Sequence, residues 1–461
     1  MEEYVARSLH TRHREVEGSD GIGPRVIDNE NSHLHSLLAS FFSLAAACNV
    51  GETSTPTSTP SPTPTSTSTP PQPQTRLEEA LTWAPLEYAD KFIEFADYAT
   101  SRKLTGLEDV RGFEDHWQLD QDQRKRIYEG LRDTPSGVDF IFLHDELGLD
   151  LFALDLGIWH SSGIHHSPTF TLMEGGQDIQ DISNRLVNLE FKETSYRGTT
   201  YYKINEDFLW DFRHPARVLK ASFNRTALVD DQVLAAPATF ILEDLVDVQK
   251  GDSPSLLESP PHLALVRAVG DGMVGGVFLT PEWVTENALG SFAAQWRVAN
   301  VSGIYTDSTL LDQHLTGPDP WALLSPYSLA LFGYRVQGDA EETVIALYYP
   351  DPSGAERDAR ELEKRWNSFH LRVKDNVPVA GSCSSLSATV EREEGSSLIV
   401  ATCSVIRDTD KEGTVRGPGL WLSLLFESKL EFLALDLEEQ KRAAEARQEE
   451  ETLKGQFRPP S

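Results

Sequence analysis

The chain has 461 residues, 39% of them hydrophobic, with 21 Phe, 12 Tyr and 9 Trp. That is enough apolar side chain for a sizeable core, in a chain too long for one typical domain. Seventy-two acids against 41 bases give a formal net charge of −31, a field that repels phosphate backbones and excludes nucleic acid as an expected partner.

Residues 1–33 are polar, and are expected either to be disordered or to precede the true start of translation. From Leu34 to Ala47 the sequence reads LHSLLASFFSLAAA, largely apolar and without a charge. It is short of the roughly 20 residues that a membrane-spanning helix needs and suits the h-region of a signal peptide. Residues 53–75 are drawn only from Ser, Thr, Pro and Gln. Nothing there offsets the entropy of ordering, so a disordered tether over 49–75 is predicted, spanning up to roughly 70 Å at about 3.1 Å per residue.

Ala45, Ala46 and Ala47 followed by Cys48 resemble the lipobox of bacterial lipoproteins. The resemblance covers residues 34–75, with 34–48 as signal segment and lipobox. It implies cleavage before Cys48, lipidation of its sulfur, and anchorage on the extracytoplasmic face of the cell membrane. A buried or interfacial apolar helix with an incidental cysteine is the other reading of residues 34–48, and a mucin-like glycosylated stalk is a separate second reading of the Ser/Thr/Pro tract.

Residues 76–135 are expected to be helical. Phe92, Phe95, Ala96 and Ala99 stand at i, i+3, i+4 and i+7 in a predicted helix from Leu86 to about Lys103. A second helix carries Ile127, Tyr128 and Leu131 near its end. Residues 136–283 read as an α+β unit, with a strand at 169–173 and then a helix bearing Ile179, Ile182, Leu186 and Leu189 on one face. Strands at 192–204, a hairpin with arms near 217–223 and 227–235, and a helix near 239–249 complete it.

Residues 284–330 connect to a second unit at 331–437. There a strand at 343–349 leads to a Ser353/Glu356 capping box and a helix striped by Ala355, Ala359, Leu362, Trp366 and Phe369. A hairpin and an apolar helix at about 420–434 follow. The fold class is therefore α+β, a helical region and two strand-helix-strand-hairpin-helix units. Their order fits split-βαβ (ferredoxin-like) units related by duplication or by coincidence. Residues 438–461 form a charged helix and tail, with Glu438/Arg442 and Glu450/Lys454 at i, i+4 spacing.

Three cysteines are too few for a disulfide scaffold, and no zinc-site spacing occurs. With Cys48 lipidated, Cys383 and Cys403 remain. A hairpin centred on Glu393 sets them opposite each other, with Leu386 facing Val400 and Ala388 facing Leu398. A cross-strand disulfide is predicted, in keeping with an oxidising compartment.

The densest polar cluster is Trp159-His160-Ser-Ser-Gly-Ile-His165-His166, with His144, Asp145 and Glu146 upstream. His144, His160, His165 and His166 are candidate ligands of a transition metal, although an exposed Ser/Gly-rich loop accounts for them as well. Gly251-Asp-Ser-Pro-Ser255 reads as a helix stop and turn. No hydrolase elbow, zincin motif, phosphate loop or dinucleotide fingerprint is present. Asp120, Asp122, Asp230 and Asp231 lack EF-hand spacing. No cofactor is predicted.

The expected protein is a non-enzymatic lipoprotein, membrane-bound through its anchor, that binds an extracellular partner or organises the envelope. An extracytoplasmic hydrolase or metal-dependent enzyme, and a solute-binding lipoprotein, are the alternatives.

Overall fold

The computed structural model describes residues 73–90, 92–120, 123, 143–161, 170–211, 214, 219, 221–288, 317–368, 370–371, 377–378, 383–393, 395–405, 420–426 and 430–435. Cys48, residues 49–72 of the tether, Ile127, Tyr128, Leu131, His165, His166, Phe369 and the 438–461 tail lie outside them, while Thr75, the last tether residue, caps the first helix by accepting from the Glu78 N–H at 3.1 Å. No helix among the described residues is long and apolar enough to cross a membrane.

In chain order the strands are β1 Phe92–Asp97, β2 Leu156–Ser161, β3 Phe170–Glu174, β4 Lys192–Tyr196, β5 Thr199–Lys203, β6 Arg225–Val229 and β7 Gln232–Ala236. Then come β8 Met273–Leu279, β9 Leu329–Gln337, β10 Ala340–Tyr349, β11 His370–Leu371, β12 Val377–Pro378, β13 Ser387–Glu393 and β14 Ser396–Ser404. Twelve of them form one sheet in the order β13-β14-β10-β9-β8-β1-β2-β3-β7-β6-β5-β4, while β11 pairs with β12. Every ladder is antiparallel.

Helices cover both faces. On one, Leu77 and Leu81 of the Arg76–Leu81 helix, Leu242 and Leu245 of Thr239–Gln249, and Leu265 and Val269 of Pro260–Val269 pack with Ile93, Phe95, Ile158, Leu331 and Val344. On the other, Ile182 and Leu186 of Ile179–Asn188, Leu362 and Trp366 of Ala355–Ser368, and Leu420 and Leu424 of Leu420–Phe426 pack with Phe92, Trp159, Phe332 and Ile345. Alternate residues of one strand thus enter different cores.

This double covering explains the largest departure from the sequence reading. All six residues of β1 are buried, so apolar side chains occur at both parities and mimic helical spacing. Phe92 and Ala96 pack on one face and Phe95 on the other. The expected Leu86–Lys103 helix is a 3-10 turn at Leu86–Tyr88, then β1, then a helix only from Tyr98 to Thr105. Asp97 starts that helix by accepting from the Thr100 N–H at 2.8 Å.

Outward from the central β1·β8 ladder, the strands run β1-β2-β3-β7-β6 on one side and β8-β9-β10-β14-β13 on the other. In each half a helix follows the first strand, Tyr98–Thr105 or Pro281–Ala288, and another follows the third, Ile179–Asn188 or Ala355–Ser368. The last strand then returns antiparallel beside the third. The first half adds the β4-β5 hairpin outside β6. A split βαβ unit sets parallel neighbours side by side; here the chain after each long helix goes to an outer strand and comes back, so neighbours are antiparallel.

Other expectations move locally. Of the expected 217–223 arm, Ala221 to Phe223 belong to a turn closed by Asn224 N–H to the Ala221 carbonyl at 3.0 Å, and the hairpin is β6-β7. The Ser353/Glu356 box gives way to Asp351, which accepts from the Ser353 N–H at 3.0 Å, and Glu356 instead accepts from Arg392 at 3.0 Å.

The β13-β14 hairpin pairs Glu393 with Ser396, Ala388 with Ala401 and Glu391 with Leu398. Its loop is only two residues long, with Gly395 at φ +84°, so the hairpin centres beyond Glu393 and the expected register shifts with it. The Cys383–Cys403 disulfide forms all the same, with its Cα atoms 5.7 Å apart. Cys383 bridges Val405, two residues beyond Cys403, so the thiols meet diagonally on one face.

Candidate functional site

Antiparallel pairing brings the end of β1, the start of β2, the end of β3 and the start of β7 to one end of the sheet, through Asp97↔Leu156, Leu156↔Glu174 and Glu174↔Gln232. Charged residues at those strand ends converge there. Arg76, at the start of its helix, lies 3.8 Å from Asp97 Oδ2, 3.9 Å from Glu174 Oε2 and 2.8 Å from Glu79 Oε2. Beside them Asp155 accepts from Arg102 at 2.5 Å and from Arg111 at 2.8 Å. The buried Arg102 also donates to the Leu154 carbonyl at 2.6 Å.

Arg76 thus faces several carboxylates, and they compete for it. Burial pushes the Glu174 carboxyl up to about 7; Arg76 offsets part of this, while Glu79, Asp231 and Asp155 add to the rise. Asp97, almost fully buried, is also raised by burial, against the opposing effect of its Thr100 hydrogen bonds and Arg76. Burial opposes the Arg76 charge, but Asp97, Glu79 and Glu174 outweigh it and raise its pKa.

Thr75, Arg76, Asp97, Thr100 and Asp271 line a cleft of about 50 Å³. Organic ligands occupy pockets of roughly 300–1,000 Å³, so this one admits water or a small ion. Chemically, the cluster can hold or release a proton near neutral pH at Glu174.

The histidines behave differently. His160 is buried in β2 rather than in an exposed loop, its ring 5.0 Å from Tyr88 and 5.4 Å from Phe170. Its neighbour Trp159 points to the opposite face and donates to Glu94 Oε2 at 2.8 Å. His144 belongs to the Leu143–Leu147 turn, whose two leucines pack in the Trp159 core. Its ring stacks on Phe113 at 4.1 Å, with Nδ1 3.1 Å from Asp145 Oδ1.

His144 and His160 are therefore not brought together, because β2 alternates faces. Among the described residues no group of three His, Cys, Asp or Glu side chains is placed to hold a metal ion. Gly251 to Ser255 make a helix stop, as the sequence indicates: Gly251 has φ +73° and Ser255 forms a capping box with Glu258.

Sequence reasoning missed Arg76, Asp97, Asp155 and Glu174, which are far apart in the chain. The usable signal was Asp97 as a helix cap, hidden once β1 was read as helix.

No family model matches the chain, and no curated protein matches it. Two solved structures are similar over most of their length. One is crystal form I of TP0453, 7% identical, TM-score 0.29, covering 75% of this chain and 97% of that one. The other is crystal form III of TP0453, 8% identical, TM-score 0.26, covering 74% and 97%. Likenesses at these TM-scores carry no argument about fold or function.

Proposed function

We propose that the chain is a lipid-anchored protein of the extracytoplasmic membrane face, held through Cys48 and its Ser/Thr/Pro tether. On this reading its α+β domain binds a partner or organises the envelope. The observation that carries it is the apolar run ending at Ala45-Ala46-Ala47-Cys48 and passing into 23 residues of Ser, Thr, Pro and Gln. The Cys383–Cys403 pair supports it, since disulfides persist in oxidising compartments. The common strand order of the two halves supports descent by duplication of one unit.

Intact mass and N-terminal peptide analysis of protein from membrane and soluble fractions, with a Cys48→Ala control, tests the anchor. Loss of residues 1–47 and a lipid mass on Cys48, both abolished in the control, is the expected result. An unlipidated chain found only in the soluble fraction contradicts it.

One observation favours a second reading, an extracytoplasmic hydrolase: Glu174, raised to about 7, sits with Asp97 at Arg76, a pairing suited to general acid–base work. Hydrolysis of a candidate substrate that disappears in Glu174→Gln would establish it.

A further inference from the structure

β13 and β6 hold the same place in the two halves. The outer edge of β6 is taken by β5, whereas no described strand pairs with the outer edge of β13, nor with that of β4 at the far end of the sheet. Twelve strands in unbroken antiparallel order leave β4 and β13 running in opposite directions. A second copy set beside the first, the same way round, therefore continues the order and keeps each face in line.

The hairpin turns fix the phase of the hydrogen bonds. Tyr196 pairs with Thr199 across a two-residue loop, with Arg197 and Gly198 at φ +46° and +80°. Tyr196, Thr194 and Lys192 thus bond to β5, and the backbones of Ser195 and Glu193 face outward. Glu393 pairs with Ser396 in the same way, which turns Arg392, Val390 and Ala388 outward. Ala388 N–H accordingly donates to Glu363 Oε1 at 2.7 Å. Glu363 closes the edge there and leaves it open at Val390 and Arg392.

We infer that the two edges bind each other between copies, β4 of one chain adding antiparallel to β13 of the next, with Glu193 opposite Arg392 and Lys192 opposite Glu393. Open positions then face open positions, Ser195 meeting Val390. The faces agree as well: Val390 packs on the Ala355–Ser368 side of the sheet and Tyr196 on the other, so Glu193 shares a face with Arg392 and Lys192 with Glu393. Sliding by two residues either way leaves at most one opposite-charge pair. Arg392 bonds to Glu356 at 3.0 Å yet is 68% exposed, so a second carboxylate can reach it. Edge charges ordinarily deter pairing. These deter a like edge, since two β13 strands centred on Arg392 set Glu391 against Glu393, and admit the complementary one. The contact is head-to-tail and repeats from copy to copy. It deepens the envelope-organising reading, on which many copies share one surface.

The test is sedimentation of the full-length Cys48→Ala chain from about 1 μM to about 100 μM. Salt is held at about 0.15 M, where the repulsion of the −31 charge is screened beyond about 8 Å. Species that grow with concentration past the dimer are expected. Lys192→Glu/Glu193→Lys and, separately, Arg392→Glu/Glu393→Lys should each weaken association about tenfold or more, because each sets two like pairs at the contact. An equal mixture of the two variants should associate as the parent chain does, since altered edges then meet altered edges and original edges meet original ones. Unchanged circular dichroism melts would show that the variants fold.

A parent chain that stays monomeric throughout overturns the proposal. Variants that associate as the parent does, or a mixture that stays apart, overturn it as well. Sedimentation reads the edges and the lipid mass on Cys48 reads the anchor, so either reading can fail without the other.

Discussion

The two halves of the sheet share a strand order and secure their outer edges differently. In the second half Cys383–Cys403 ties the approach to β13 to β14. The Ala355–Ser368 helix lies beneath, with Leu362 and Trp366 fully buried and Arg365 donating to the Ala434 carbonyl at 2.8 Å. The first half, β1 to β7, contains no cysteine. It extends the edge with β4-β5 and holds it through Arg197, 3.3 Å from Asp247 and 2.6 Å from Asp252. Exposed ion pairs are worth little and are screened by salt, whereas a cross-link restricts the unfolded chain. The first-half edge should therefore open first.

Core substitutions give the largest expected effect. Trp366→Ala should cost about 3–5 kcal/mol, and Leu186→Ala, on the corresponding first-half helix, about 2–5 kcal/mol. Urea titration compares them, and a Leu186 cost above that of Trp366 would break the ranking of the halves. Next comes Cys383→Ser/Cys403→Ser, which frees a 20-residue separation and should cost about 3 kcal/mol. Hydrogen exchange should rise in β13 and β14 and stay unchanged in β6 and β7.

Asp207→Ala removes the acceptor for the Thr239 N–H and the partner of Arg225, with an expected cost of about 1–2 kcal/mol. Its exchange signature should be confined to the first half.

Glu174→Gln is read in the pH dependence of stability. The folded-state pKa, about 7, lies above the ordinary 4.5, so the native state binds more protons than the unfolded chain between those values. This contribution to stability is full below about pH 4.5 and is lost as pH rises through about 7. Melting curves across that window should show a decline that flattens in the variant; a wild type as flat as Glu174→Gln would contradict the burial argument.

Much of the α+β order was legible in the sequence, wherever amphipathic spacing met a single core. The helix at 179–188 follows from Ile182 and Leu186, and the one at 355–368 from Ala359, Leu362 and Trp366. Legibility failed at β1, because a strand buried on both faces has no period of two. The Cys383–Cys403 pairing was legible from spacing, but the register was not: the two-residue loop slides β13 along β14, Cys383 bridges Val405, and the disulfide closes diagonally rather than straight across. The Arg76–Asp97–Glu174 cluster depends on pairing among β1, β2, β3 and β7, which local spacing does not encode. His160 was misplaced for the reason that hid β1: its loop-like sequence continues a buried strand.

The most direct test of the contrast between the halves, and of folding in an oxidising compartment, is the thiol state of Cys383 and Cys403 in protein taken from the cells that make it. Thiols are alkylated before lysis, and the peptides are weighed without reduction. The account predicts one peptide pair linked through Cys383 and Cys403, unlabelled until reductant is added. Two alkylated, unlinked peptides would contradict it, leaving both edges of the sheet held by non-covalent contacts alone.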